Sequence, residues 1–156
     1  MTVKDIVIRS ARLEDVESLT RFSAAMAWET EGRTLDTDRL RQGTLAVFER
    51  ADRGTFYVAE HRTGGLVGQC LITYEWSDWR NAQFWWIQSV YVDPDWRRRG
   101  VYRRLHDTIR EKARSTPGVC GIRLYVEESN RIAQSVYEAM NLRRAKYQIW
   151  EVDFVL

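Results

Sequence analysis

The sequence predicts an α/β (α+β) fold: one domain over residues 1–156, with a central, mostly antiparallel sheet flanked by helices. Three observations predict it. Segments of period two alternate with segments of helical period, in the order strand, two helices, three strands, helix, strand, helix, strand. The 156 residues suit one compact domain with a sizeable core. No repeat, low-complexity tract or flexible linker interrupts them, and the two prolines, Pro94 and Pro117, fall between periodic segments.

Residues 6–9 (IVIR) read as a short strand. From Leu13, the residues Val16, Leu19, Phe22 and Met26 recur at helical spacing, with Glu14 and Asp15 in the first turn, where the helix dipole favours acids. A second helix starts after Asp36 or Thr37 and turns Leu40, Val47 and Phe48 inward. "TFYVAEH" is a strand, "RTGG" its turn and "LVGQCLITYEW" the next strand. "SDWRN" is a loop, and "QFWWIQSVYV" a third, strongly apolar strand. A helix carrying Val101, Leu105, Ile109 and Lys112 follows "DPDWRRRG" and ends at "TPG". "VCGIRLYVE" is a strand, and "NRIAQSVYEAM" a helix capped by Asn130. The tail "AKYQIWEVDFVL" reads as one long strand or two short ones.

Charge is concentrated rather than spread. The net charge is +2, yet Arg97–Arg114 holds seven Arg and one Lys against Asp107 and Glu111, a local +6. The remainder therefore sums to −4, which is not the pattern of a general nucleic-acid coat. No apolar run approaches the roughly 18 residues of a membrane span. The opening MTVKDIVIRS has charges where a secretory signal has an apolar stretch, so a cytoplasmic protein is expected. Cys70 and Cys120 have no CxxC spacing, and only His61 and His106 accompany them. No metal site is expected, and both thiols read as buried and free.

Within the basic stretch, "WRRRGVYRRL" joins a strand to a helix. Free backbone N–H groups at a helix start, with the helix dipole, attract anions. Gly100 leaves room for a phosphate to approach the backbone, and the flanking arginines add charge-assisted hydrogen bonds. Chemically this is a pyrophosphate site; the bland alternative is a solvated basic face carrying Arg103, Arg104, Arg110 and Arg114.

The run "QSVYVDPDWRRRGVYRRLHDTI" resembles the acetyl-CoA signature of the GNAT N-acetyltransferase superfamily, an apolar strand followed by Arg/Gln-x-x-Gly-x-Gly/Ala. Arg97 and Gly100 match the first and fourth positions; Tyr102 stands at the sixth, where Gly or Ala is usual. "NRIAQSVYEAMNL" resembles a second family motif through Asn130, Ala133 and Tyr137, with Met140-Asn141-Leu142 where Gly-Phe is usual.

The resemblance implies a sheet splayed between its fourth and fifth strands, with acetyl-CoA as co-substrate in the gap. Backbone groups of Val90 and Val92 would then meet the acetyl carbonyl and the pantetheine arm. Amides of Arg98, Arg99, Gly100, Val101, Tyr102 and Arg103, beside Arg97, would hold the pyrophosphate, and Arg103 or Arg104 the 3′-phosphate. Asn130 would touch the pantetheine arm. Tyr137 would be the general acid at the sulfur; without the motif it reads as a half-buried helix tyrosine.

The base is not given by the motif strand, which has no carboxylate or imidazole in "FWWIQS". Glu75 is the first candidate, and Glu29 and Glu31 border the acceptor side; each also reads as a solvated acid. Trp76 and Trp79 flank a loop and are candidates to wall a substrate pocket or a partner surface. Trp85 and Trp86 must point to opposite faces. Acids with aromatics suit a cationic amine, either a small molecule or a protein amine. No GxSxG or other nucleophile argues for an acyl-enzyme. An acyl-CoA-binding regulatory module, and less so a nucleic-acid-binding protein, are the competing readings. A homodimer through an exposed strand or the tryptophan loop is compatible with the pattern.

Overall fold

The computed structural model describes residues 5–156. By its contacts the chain falls into two units, one up to Tyr125 and one from Val126 to Leu156. The first contains β1 (Ile6–Ser10), α1 (Val16–Glu31), α2 (Thr37–Glu49), β2 (Thr55–His61), β3 (Leu66–Ser77), β4 (Ala82–Val92), α3 (Val101–Ser115) and β5 (Val119–Leu124). The second contains α4 (Arg131–Ala139).

The sheet order is β1-β2-β3-β4-β5. The first three pairings are antiparallel and the last, β4 with β5, is parallel. The mostly antiparallel mixed sheet is thus as expected. Pairing of β4 with β5 runs from Gln83 to Ile87 only, so the last five residues of β4 have no β5 partner. This is where the two strands part.

Each side of β2 faces a core, which explains its unbroken apolar run. Tyr57 and Ala59 join Cys70, Ile72, Trp85 and Ile87 beneath Val101, Leu105, Ile109 and Ala113 of α3. Phe56 and Val58 face the other way, onto Leu19 of α1 and Val47 and Phe48 of α2. Residues four apart make the buried stripe of α3.

Several boundaries differ from the sequence reading. Leu13 is exposed, because the chain enters α1 through a 3-10 turn and the α-helix starts only at Val16. What is buried there is Asp15, whose carboxylate accepts from Arg9 at 2.7 and 3.1 Å and from the Arg12 N–H at 2.7 Å. Lys112 is exposed with its ammonium 5.9 Å from the Tyr57 ring; Ala113 takes the inward place. His106, unassigned by the sequence reading, is fully buried on α3. Cys70 is a buried free thiol whose pKa burial pushes up, whereas Cys120 is only half-buried.

In the second unit, Asn130 caps α4 as expected, its Oδ1 accepting from the Ala133 N–H at 3.0 Å. The helix ends in a Schellman turn: Leu142 N–H donates to the Tyr137 carbonyl and Asn141 N–H to that of Glu138, both at 3.0 Å. Asn141 has φ +62°, the left-handed position for which Gly is usual and which Asn tolerates. The departure from Gly-Phe is therefore accommodated in the backbone. The expected strand in the tail is not formed: residues 142–156 contain neither helix nor strand.

Candidate active site

Three features of the first unit meet around β4. The first is the turn after it. Asp93 accepts from the Asp95 N–H at 3.0 Å and holds a 3-10 turn, Pro94–Trp96. Arg98 then adopts φ +61° and Gly100 φ +83° before α3 begins. A Cβ at Gly100 would meet open space, so the glycine is required by the backbone conformation and not by crowding. Gly100 is the N-cap and no side chain caps α3, so its first N–H groups are available to an anion. Arg98, Arg99 and Arg103 stand exposed around this turn, with Arg99 5.5 Å from the Trp96 ring centre.

The second is a clamp between this turn and α1. Arg97 donates to the Val92 carbonyl at 2.9 Å and to Glu29 at 2.6 Å, while the Tyr91 hydroxyl donates to the other Glu29 oxygen at 3.0 Å. The Arg97 guanidinium also lies 5.3 Å from the Tyr91 ring centre. Burial, and then the Glu29 carboxylate, push the Tyr91 phenol up, which keeps it protonated as a donor. Glu29 therefore sits at the base of the turn. Glu31 stands in solvent, 3.5 Å from Arg33.

The third is a polar cluster on the sheet face opposite α3. Glu75 of β3 registers with Phe84 of β4, and Thr73 with Trp86. Trp86 in turn registers with Arg123 of β5, and Phe84 with Gly121. These residues share one face. The Glu75 carboxylate accepts from the Trp86 indole N–H and from Arg123 Nη1, at 2.9 and 3.2 Å to its two oxygens. A carboxylate offers about four acceptor sites; three are used, and one is left for a water or an ammonium. Gly121 makes the arrangement possible, since a Cβ there would lie 2.8 Å from the Phe84 ring. The Arg123 guanidinium stacks on that ring, 3.7 Å from its centre. Tyr125 stands 5.9 Å from Trp86 between ring centres and donates to Gln88 at 3.2 Å.

Trp85 is buried in the core and Trp86 is on the opposite face, as strand alternation requires. Trp76 and Trp79 are exposed, Trp79 the more so at 86%. Arg123, Tyr125 and Gln88 were not among the sequence candidates. Alternation in "GIRLY" puts Arg123 and Tyr125 on the face away from Ile122 and Leu124, but no local pattern tells which strand lies beside them. Asn130 and Tyr137 are brought onto α4, at the cap and in the last turn.

Among the described residues no helix is long and apolar enough to cross a membrane.

Comparison with known proteins agrees with this geometry. No curated protein matches the sequence. The chain is similar to the crystal structure of a possible acetyltransferase from Clostridium difficile 630, at 38% identity and a TM-score of 0.90, covering 97% of this chain and 99% of that one. An acetyltransferase from Trypanosoma brucei shares the fold at 24% identity and a TM-score of 0.72, covering 96% and 100%. The aminoglycoside N-acetyltransferase AAC(6')-Iy, solved in complex with CoA, shares it at 15% identity and a TM-score of 0.77, covering 95% and 94%. A model of the acetyltransferase (GNAT) family matches residues 13–141. With most of its length under that match, and with β4 running into an uncapped helix start, the chain belongs to the GNAT acetyltransferase family.

Proposed function

We propose that the protein transfers an acetyl group from acetyl-CoA to a primary amine by direct attack, acting in the cytoplasm on a small-molecule or protein amine. The observation that carries this reading is the pairing of two open backbone surfaces: the last five residues of β4 and the uncapped start of α3. An amide-rich pantetheine arm can add to a strand edge as a peptide does. A pyrophosphate suits the amides and arginines from Arg98 to Arg103 around Gly100. Val90 and Val92 supply the strand's backbone groups, and Asn130 a contact to the arm beyond its cap. That AAC(6')-Iy was solved with CoA supports the co-substrate.

In the reaction the amine lone pair attacks the thioester carbonyl, the C–S bond breaks, the amide forms and CoA leaves as its thiol. The amine arrives as an ammonium with a pKa near 10.4, so freeing it at pH 7 costs roughly 4–5 kcal/mol. Glu75 is the base, with its remaining acceptor site turned to the ammonium. Arg123 balances its charge, so aromatic faces at Trp86, Trp76 and Trp79, more than net charge, recognise the acceptor. Tyr137 is the acid. A phenol near pKa 10 and a thiol near 8.5 make full transfer uphill by roughly 2 kcal/mol, so its hydrogen bond to the developing thiolate contributes as much as the transfer.

Thermal unfolding with acetyl-CoA tests the reading, followed by CoA release over a panel of amines. At about a hundred times its dissociation constant the ligand adds roughly 2.7 kcal/mol. The shift should vanish in Gly100→Glu. No shift at millimolar acetyl-CoA would exclude the cofactor site; a shift without CoA release over a broad panel would instead indicate a binding module.

A further inference from the structure

We propose, on the reading of the turn before α3 as the diphosphate site of acetyl-CoA, that His61 and Trp96 are positioning residues for that site. His61 seats the Trp96 indole, and Trp96 holds the turn and the Arg99 side chain beside it. The rings of His61 and Trp96 lie 4.9 Å apart between centres, and the Arg99 guanidinium is 5.5 Å from the Trp96 ring centre. The end of β2 is thereby joined to the start of α3 through side chains that no local pattern brings together.

The turn needs holding. Arg98 has φ +61°, in the left-handed region that a residue with a Cβ rarely adopts, and Gly100 follows at φ +83°. Such conformations persist where the surrounding structure fixes them. Arg97 is one anchor, through Glu29 of α1 and the Val92 carbonyl. Trp96 is the other. Every other residue from Pro94 to Gly100 is exposed, whereas Trp96 is half-buried and packs against the core beneath α3. It also keeps Arg99 at the helix start, and a guanidinium beside an indole is weakly hydrated and shaped for two phosphate oxygens.

β2 supplies the seat. Alternation turns Tyr57, Ala59 and His61 to the α3 side of the sheet, and His61 is the last residue of the strand. Its ring is buried and fixed in direction by Thr63, whose backbone N–H donates to Nδ1 at 3.3 Å and whose hydroxyl lies 2.6 Å from the same atom. A backbone N–H only donates, so Nδ1 accepts and the neutral ring carries its hydrogen on Nε2. Nε2 has no hydrogen-bond partner among the described residues, so the contact with Trp96 is one of ring surfaces. The helix start is set separately: a Cβ at Gly68 of β3 would lie 3.0 Å from the Tyr91 carbonyl oxygen and 3.5 Å from Val101, so α3 begins hard against the sheet. The part of the site left to be fixed is the turn that Trp96 anchors.

Calorimetric titration of acetyl-CoA into the wild type, His61→Ala, Trp96→Leu and the double variant tests this. Each single variant should bind about 3- to 10-fold more weakly, and the double variant no more weakly than Trp96→Leu, because His61 acts through the indole. His61→Phe, which keeps a flat ring, should bind as the wild type does. If His61→Ala does not fold, Trp96→Phe against Trp96→Leu makes the same comparison, with affinity retained by the ring and lost without it. A purely structural pair would lower the unfolding temperature and leave the affinity of the folded protein unchanged, and that outcome overturns the proposal. So do additive losses in the double variant. A wild type that binds no acetyl-CoA at millimolar concentration would remove the cofactor site itself, and this assignment with it.

Discussion

Arg123 holds Glu75 from one side, its Nη1 donating to both carboxylate oxygens while its guanidinium rests on the Phe84 ring. Strand register alone brings them together, 48 residues apart in sequence. The carboxylate is thereby fixed in direction, with the Trp86 indole as its second donor. Glu75→Gln is expected to lower kcat by about 10²-fold or more, the usual worth of a general base, with KM for acetyl-CoA unchanged. Arg123→Gln should cost less, because it releases the carboxylate from its fixed direction without removing it. A Glu75→Gln enzyme with the wild-type kcat would remove Glu75 as the base.

Glu29 and Arg97 tie the end of α1 to the turn after β4. Both side chains are partly exposed, 37% and 41%, so the pair is worth about 1 kcal/mol at most to folding. Its larger effect is expected on the turn. Glu29→Gln and Arg97→Met should each weaken acetyl-CoA binding several-fold, and the double variant should do little more than either, as for residues acting through one contact. Calorimetric titration of the four proteins measures this; fully additive losses would show that the two act separately.

His106 should make stability fall as pH drops below the ordinary imidazole value of about 6.5. Burial holds its imidazole below the ordinary value; Asp107, 3.7 Å from Nδ1, opposes this in part, and Arg110 adds to it. The folded protein therefore binds fewer protons than the unfolded chain, whose histidine titrates near 6.5. The contribution is fully present above that value and is lost as pH falls through the lower folded-state one. Asp15 acts further down. Burial raises its pKa, but donation from Arg9 and from the Arg12 backbone outweighs this, so its contribution is lost only below about pH 4. Urea unfolding at pH 7.5 and 5.5 should show a decline that His106→Gln flattens. An unchanged slope in that variant would assign the decline elsewhere.

Asn141→Ala should destabilise the end of α4 by about 1–2 kcal/mol, the cost of a Cβ in the left-handed region, and Asn141→Gly should not. Thermal unfolding of the two variants decides it. Equal loss in both would mean that the Asn side chain, not its backbone, is what matters.

The sequence by itself determined the element order, the single-sided stripe of α3 and the cap at Asn130, because these follow from spacing within a few residues. It also located the turn at Gly100, whose φ of +83° is a local requirement. The opposite facing of Trp85 and Trp86 was equally legible, since strand alternation is a property of the backbone. Only the tertiary structure decided that Glu75 meets Arg123 and Trp86, and that Glu29 meets Tyr91 and Arg97. Such pairs depend on which strand lies beside which and in what register, and two carboxylates with the same local surroundings give no sign of it. The tail shows the same limit from the other side: "WEVDF" has the period of a strand, yet residues 142–156 form none.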